Sequence, residues 1–234
     1  MPDLPVITRP RTALLCVCLI AAPLAETVEQ LLSPLTGGST ADDLAAIAAA
    51  PERFLLSVLI GLLATALLLP ALLGLAHRTS ERSPLLALFA SIAIGASLLG
   101  FAGVRMSQGF EYAFATGGAS PATAAAQFEA AIAAPIGMVM TIAFLAGTVI
   151  GIVLLAIGLW RSRRVPVGSI ILLLLFPVAD LTAPAPAGPV ISHLILLAAL
   201  TWMAIALLRT APARRAVHAS APADPRRAHT TTGG

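Results

Sequence analysis

Hydrophobic positions along this chain fall in long unbroken runs. They show neither the alternation of a half-buried strand nor the single apolar stripe of a soluble helix. Six runs reach or approach the ~20 residues that a bilayer-crossing helix needs: residues 12–32, 52–76, 84–105, 135–160, 166–181 extended a little, and 189–208. A proline stands at or just before the start of each, at Pro10, Pro51, Pro84, Pro135, Pro166 and Pro189. Proline suits a first helical turn, where its missing N–H has no partner to lose. The pattern predicts an all-α polytopic membrane bundle of six transmembrane helices.

The polar stretches between the runs add a second pattern. Thr36-Gly37-Gly38-Ser39 leads to Ala45–Ala50, Pro51 and the second run; Thr116-Gly117-Gly118-Ala119-Ser120 leads to Ala130–Ala134, Pro135 and the fourth. The two match at an offset of 80 to 84 residues. Gly74-Leu75 and Gly158-Leu159 continue the match, and Pro23-Leu24-Ala25-Glu26 has a weaker partner in Pro177-Val178-Ala179-Asp180. The chain thus reads as three parallel helical hairpins, residues 12–83, 84–165 and 166–209, the last without an outer helix. Parallel repeats are one of the known constructions of transporters. Residues 41–49 and 122–134 are expected to form short helices on the outer face, with Ser39 or Thr40 and Ser120 as N-caps. Residues 1–11 form a short cytoplasmic start in this reading. Residues 210–234, rich in Ala, Pro, Arg and Thr without periodicity, form a disordered cytoplasmic tail.

Composition excludes the alternatives. Of 234 residues, 58% are hydrophobic and 11% charged, against about 25% charged in an ordinary soluble domain. Mean hydropathy is +0.94. So few charges cannot cover a water-facing surface. The chain contains no Lys and no Asn, which excludes a P-loop or a Schiff-base enzyme. HExxH, GxSxG and CxxC motifs are absent, so neither an enzyme nor a metal or other cofactor site is expected. Cys16 and Cys18, two apart in an apolar run, are read as packing residues. Thr12–Leu24 has the length of a signal-peptide core, but cleavage after Ala25 would place Pro23 where a small residue is required, so the run is kept as a span.

Charge then sets orientation, because short cytoplasmic loops collect basic residues. With the N-terminus inside, twelve arginines fall on inner segments and only Arg53 and Arg105 fall outside. Glu26, Glu29, Asp42, Asp43, Glu52, Glu111, Glu129 and Asp180 divide the other way. Both termini are therefore expected in the cytoplasm, with the protein in the plasma membrane. The pI of about 9.6 reflects this topogenic arginine and points to no nucleic-acid partner; the partners expected are the bilayer and either another membrane protein or a second copy.

Ionisable groups inside a span are costly and mark candidate sites. Glu26 lies fifteen residues from Arg11, Asp180 sixteen from Arg164 and His193 sixteen from Arg209. At ~1.5 Å per residue these are depths of about 22 to 24 Å, one shared level in the outer leaflet of a ~30 Å core. Glu29 and Gln30 share the face of Glu26, and Arg105 is the available counter-charge. Pro23 and Pro177, each just before an acid, are expected to bend their helices. The candidate outer-leaflet site is thus Glu26, Glu29, Arg105, Asp180 and His193. Ala143, Gly147 and Gly151 form a small-residue stripe suited to close helix packing.

With TGGSTADDLAAIAAAPERF before the second span, the turn HRTSERSP and LWRSRRVP closing the fourth, the chain to about Arg209 resembles small six-span membrane proteins of high-GC actinobacteria that carry a domain of unknown function. The resemblance implies a cell-membrane location and no activity. The leading expectation is a non-catalytic interaction, sensor or stabilising component of the membrane. The alternative is a small proton- or cation-coupled transporter using Glu26, Asp180 and His193.

Overall fold

The computed structural model describes residues 9–182 and 187–219. These residues form eight helices and no strand: α1 (Arg9–Leu32), α2 (Thr40–Ala49), α3 (Pro51–Thr79), α4 (Pro84–Thr116), α5 (Pro121–Ile132), α6 (Pro135–Ser162), α7 (Val167–Thr182) and α8 (Ala187–Ala219). Five of them, α1, α3, α4, α6 and α8, are long and apolar enough to cross a membrane. α7 is apolar but has 16 residues, about 24 Å of helix. Pro51, Pro84 and Pro135 each open their helix as expected. α1 and α7 stay helical on both sides of Pro23 and Pro177.

The long helices pack as successive antiparallel pairs. In the first, Leu15 of α1 lies against Gly74 of α3 and Arg53 of α3 returns to the far end of α1. Arg53 donates from Nε to the Leu32 carbonyl at 2.7 Å and from Nη2 to that of Leu31 at 3.1 Å, a cation on the carbonyls that end a helix. In the second pair α4 and α6 pack along their length. A Cβ on Gly147 would stand 2.8 Å from the Ala93 carbonyl oxygen, so only glycine permits this approach. α7 and α8 form the third pair, Gly168 facing Trp202. α1 closes the arrangement by packing on both α3 and α8.

Charge divides between the two ends. Arg11 and Arg78 lie together at one end, as do Arg163, Arg164 and Arg209. There Arg164 pairs with Glu81, and Arg82 reaches the Arg161 carbonyl, linking the α3–α4 turn to the end of α6. α6 stops with Arg163 in the left-handed region, φ 52°, its N–H returned to Leu159 and Trp160. The opposite end carries the two short helices. Gly37 and Gly118 take positive φ just before the N-caps Ser39 and Ser120, whose hydroxyls accept from the N–H groups of Asp42 and Thr123. Hydrogen bonds from the Ser39 hydroxyl and N–H to Asp42 hold that carboxyl below its ordinary range.

Leu14, Leu59, Leu88, Ile92, Ile142 and Ile171 project outward and are exposed. A surface as apolar as the interior is what lipid, and not water, accepts. The interior holds a main core with Leu19, Leu75, Leu155, Leu159 and Met203, and a smaller one under the short helices with Leu44, Ile47 and Phe54.

Two boundaries differ from the sequence reading. α4 runs eleven residues past Arg105 to Thr116, because Tyr112, Phe114 and Ala115 pack against the small core. α8 continues to Ala219, into the stretch read as a disordered tail, where Ala and Arg are strong helix formers. The remainder of that tail, like residues 1–8, lies outside the described residues. Cys16 and Cys18 are both buried as free thiols, although two positions apart on a helix, because α1 is covered from two sides.

Candidate functional site

Glu26 and Glu29 are one turn apart on α1 and therefore share a face. Both are buried, 1% and 2% exposed. Arg105 comes to them from α4, 4% exposed. Its Nη1 and Nη2 fork onto the two carboxylate oxygens of Glu29, and Nη2 also donates to Glu26 Oε2 at 2.8 Å. A forked guanidinium–carboxylate pair is the strong form of this contact. Nη1 further donates to Gln108 Oε1 at 3.3 Å. The guanidinium carbon lies 4.5 Å from the Phe101 ring centre, and Phe101 in turn stacks on Phe144 at 4.8 Å.

The pair can reach this depth because α3 presents Gly61. A Cβ there would fall 2.8 Å from the Arg105 Cζ and 3.0 Å from the Glu29 Cδ. Any side chain at position 61 would occupy the space of the ion pair.

His193 approaches from α8. Its Nδ1 donates to the Pro189 carbonyl at 2.6 Å, which directs Nε2 to Glu26 Oε2 at 3.6 Å. A carbonyl can only accept, so Nδ1 carries a proton in either charge state. Nε2 is then the ring nitrogen turned toward Glu26, at ion-pair distance and beyond direct hydrogen-bond length. The ring also meets Phe176 edge-on at 5.7 Å. Asp180 Oδ1 accepts from the Ser192 hydroxyl at 2.7 Å, beside His193. Asp180 is itself exposed.

These groups surround a cavity of about 370 Å³ between α1, α3, α4, α6, α7 and α8. Glu26, Arg105, Asp180 and His193 line it; Glu29 stands behind Arg105. Leu68, Ile94, Phe144, Leu173 and Phe176 supply much of the wall. Ser97 and Thr148, also on the wall, bond each other at 2.7 Å between α4 and α6. Glu26 Oε1 and Arg105 Nε are buried without a hydrogen-bond partner among the described residues. Among the described residues no group of three His, Cys, Asp or Glu side chains is placed to hold a metal ion.

All five candidate residues thus lie in one cluster drawn from α1, α4, α7 and α8. Sequence reasoning missed Gly61, Phe101 and Ser192. Ser192 neighbours His193 and offered a weak signal; Gly61 and Phe101 are a glycine and an aromatic inside apolar runs, and their roles depend on what the fold brings opposite them. No protein-family model, no curated protein and no solved structure matches the chain. The residues themselves establish a multi-pass helical protein whose apolar helices suit a bilayer.

Proposed function

We propose that the chain is a six-span plasma-membrane protein with both termini in the cytoplasm, and that it works as a small proton-coupled permease. The arginine-rich end is the cytoplasmic end in this reading, α7 is the fifth of the six spans, and the three hairpins are repeats of one ancestral unit. The resemblance to small actinobacterial six-span proteins belongs to the same proposal. One observation carries the activity: Glu26, His193 and Asp180 line a single cavity between the helices, with Glu26 and His193 opposed at ion-pair distance. Ionisable groups of this kind inside a span are characteristic of proton relays.

A non-catalytic role, as an interaction, sensor or stabilising component, draws support from a different observation. Arg105 clasps Glu29 and Glu26 together, which joins α1 to α4 as a structural lock would. Proteoliposomes loaded with a pH-sensitive dye separate the two. A permease gives dye acidification under an imposed proton gradient, reduced about tenfold or more by Glu26→Gln and by Asp180→Asn, a loss of roughly 1.4 kcal/mol or more in barrier terms. Flux unchanged in both variants removes the permease reading and leaves the lock.

A further inference from the structure

The cavity's charge does not balance. Arg105 is matched by the fork from Glu29, which leaves Glu26 and Asp180 as surplus carboxylates, with His193 as the only other titratable group on the wall among the described residues. Glu26 lines the cavity and is 1% exposed, yet its Oε1 has no donor among the described residues. A buried carboxylate oxygen without a donor is costly, and a bound cation would remove that cost.

The walls say which cation. Aliphatic and aromatic side chains dominate; the uncharged polar remainder is Gln30, the Ser97 and Thr148 hydroxyls, which bond each other, and Gln108, whose Oε1 accepts from Arg105. With no three-ligand cluster among the described residues, a small inorganic ion would lose its water against hydrocarbon and gain too few oxygens in return. An organic cation brings its own apolar surface, whose burial at about 25 cal/mol per Å² is favourable, and aromatic rings suit a cationic headgroup. We propose that the cavity takes a monovalent organic cation with an apolar body, its charged head against Glu26 and Asp180 and its hydrocarbon against Phe144, Phe176, Ile94 and Leu173. This rests on the reading of the cavity as a solute site.

Proton and solute then compete for one carboxylate. The groups facing Glu26 are Glu29 on its own helix, Arg105 from α4 and His193 from α8, while α3 presents Gly61. A proton on the Glu26 carboxylate removes the charge that holds the cation, so solute binding falls as pH falls. Exchange of proton for cation follows from the same competition.

The test uses the full chain in lipid nanodiscs and three probes of similar size, benzyltrimethylammonium, benzyl alcohol and benzoate, at pH 8 and pH 5. Saturable binding is expected for the cation alone, weaker at pH 5, with the affinity about tenfold lower in Glu26→Gln and reduced to a smaller degree in Asp180→Asn. Benzyl alcohol bound as tightly as the cation, benzoate preferred, or equal cation binding at the two pH values overturns the proposal. Where Glu26→Gln does not fold, Asp180→Asn, altered at an exposed position, decides: unchanged affinity overturns it. Cation binding with no proton flux even when the cation is supplied as the exchanging solute supports the proposed ligand class and refutes the permease; proton flux without cation binding refutes the ligand class and leaves the permease standing.

Discussion

In the arginine-rich half of the bundle Leu19, Leu75, Leu155, Leu159, Leu200 and Met203 bury one another, 0 to 1% exposed. In the other half the same helices part around a cavity lined by Glu26, Asp180 and His193. Lipid is as apolar as leucine, so hydrophobic burial alone does not hold membrane helices together. The first half meets this with close contacts, such as Gly74 against Leu15 and Gly158 against Thr79. In the second half α4 and α6 stay closely packed at Gly100 and Gly147, but α1 and α4 make no backbone approach among the described residues, and Arg105 spans the gap between them to reach both Glu26 and Glu29. The first half is specified by shape, the second by shape and charge together.

The largest expected effect falls on that bridge. Arg105→Ala leaves two carboxylates buried without their cation, a loss of about 3–5 kcal/mol for a buried pair broken on one side. It is read as a lowered thermal midpoint in detergent micelles. Replacing the whole cluster, Arg105→Met with Glu26→Met and Glu29→Met, removes the orphaned charges and recovers most of the loss, since apolar substitution of a whole buried ion cluster is often neutral. A triple variant as unstable as the single one would show that the cost lies elsewhere.

Second in size is the dry half. Leu200→Ala opens a void in a fully buried position. Leucine-to-alanine changes cost about 2–5 kcal/mol in soluble cores, and the lower end applies here, about 2 kcal/mol, because the lost contacts are packing alone. Leu200 does not line the cavity. Proton flux per folded molecule should therefore stay at the wild-type level, and a fall in flux would mean that the two halves are coupled and the division drawn above fails.

How far the sequence discloses this arrangement follows from the same division. Helix starts are legible at Pro51, Pro84 and Pro135, because proline constrains its own backbone and needs no tertiary partner. Glu26, Glu29, Arg105, Asp180 and His193 stand out as charges set in or at the ends of apolar runs, where each must have a reason. Their partners are another matter. The approach of His193 to Glu26 spans 167 positions, and Gly61 matters only because Arg105, 44 positions later, lies against it. No local pattern encodes such meetings. The extension of α4 to Thr116 is hidden for a related reason: Gln108, Glu111 and Tyr112 end the apolar run, and the helix continues because α2 and α5 pack against it.

The smallest effects belong to the cap over the charged half, where α2 is held at its start by exposed hydrogen bonds. Ser39→Ala removes the acceptor for the Asp42 N–H, a loss of about 1 kcal/mol for an N-cap serine. Asp42 adds a pH dependence with a fixed sign. Its carboxyl is held below the ordinary ~3.9 of aspartate by the Ser39 hydroxyl and N–H. A carboxyl lowered on folding contributes stability that is fully present above its unfolded value and lost as pH falls through the folded one. Amide exchange across α2, corrected for its intrinsic pH dependence, should therefore rise below about pH 4 in the wild type and stay level in Asp42→Asn. If the two profiles coincide, the reciprocal Ser39–Asp42 bonds do not hold the cap, and its place on the bundle rests on Leu44 and Ile47 packing against Phe54.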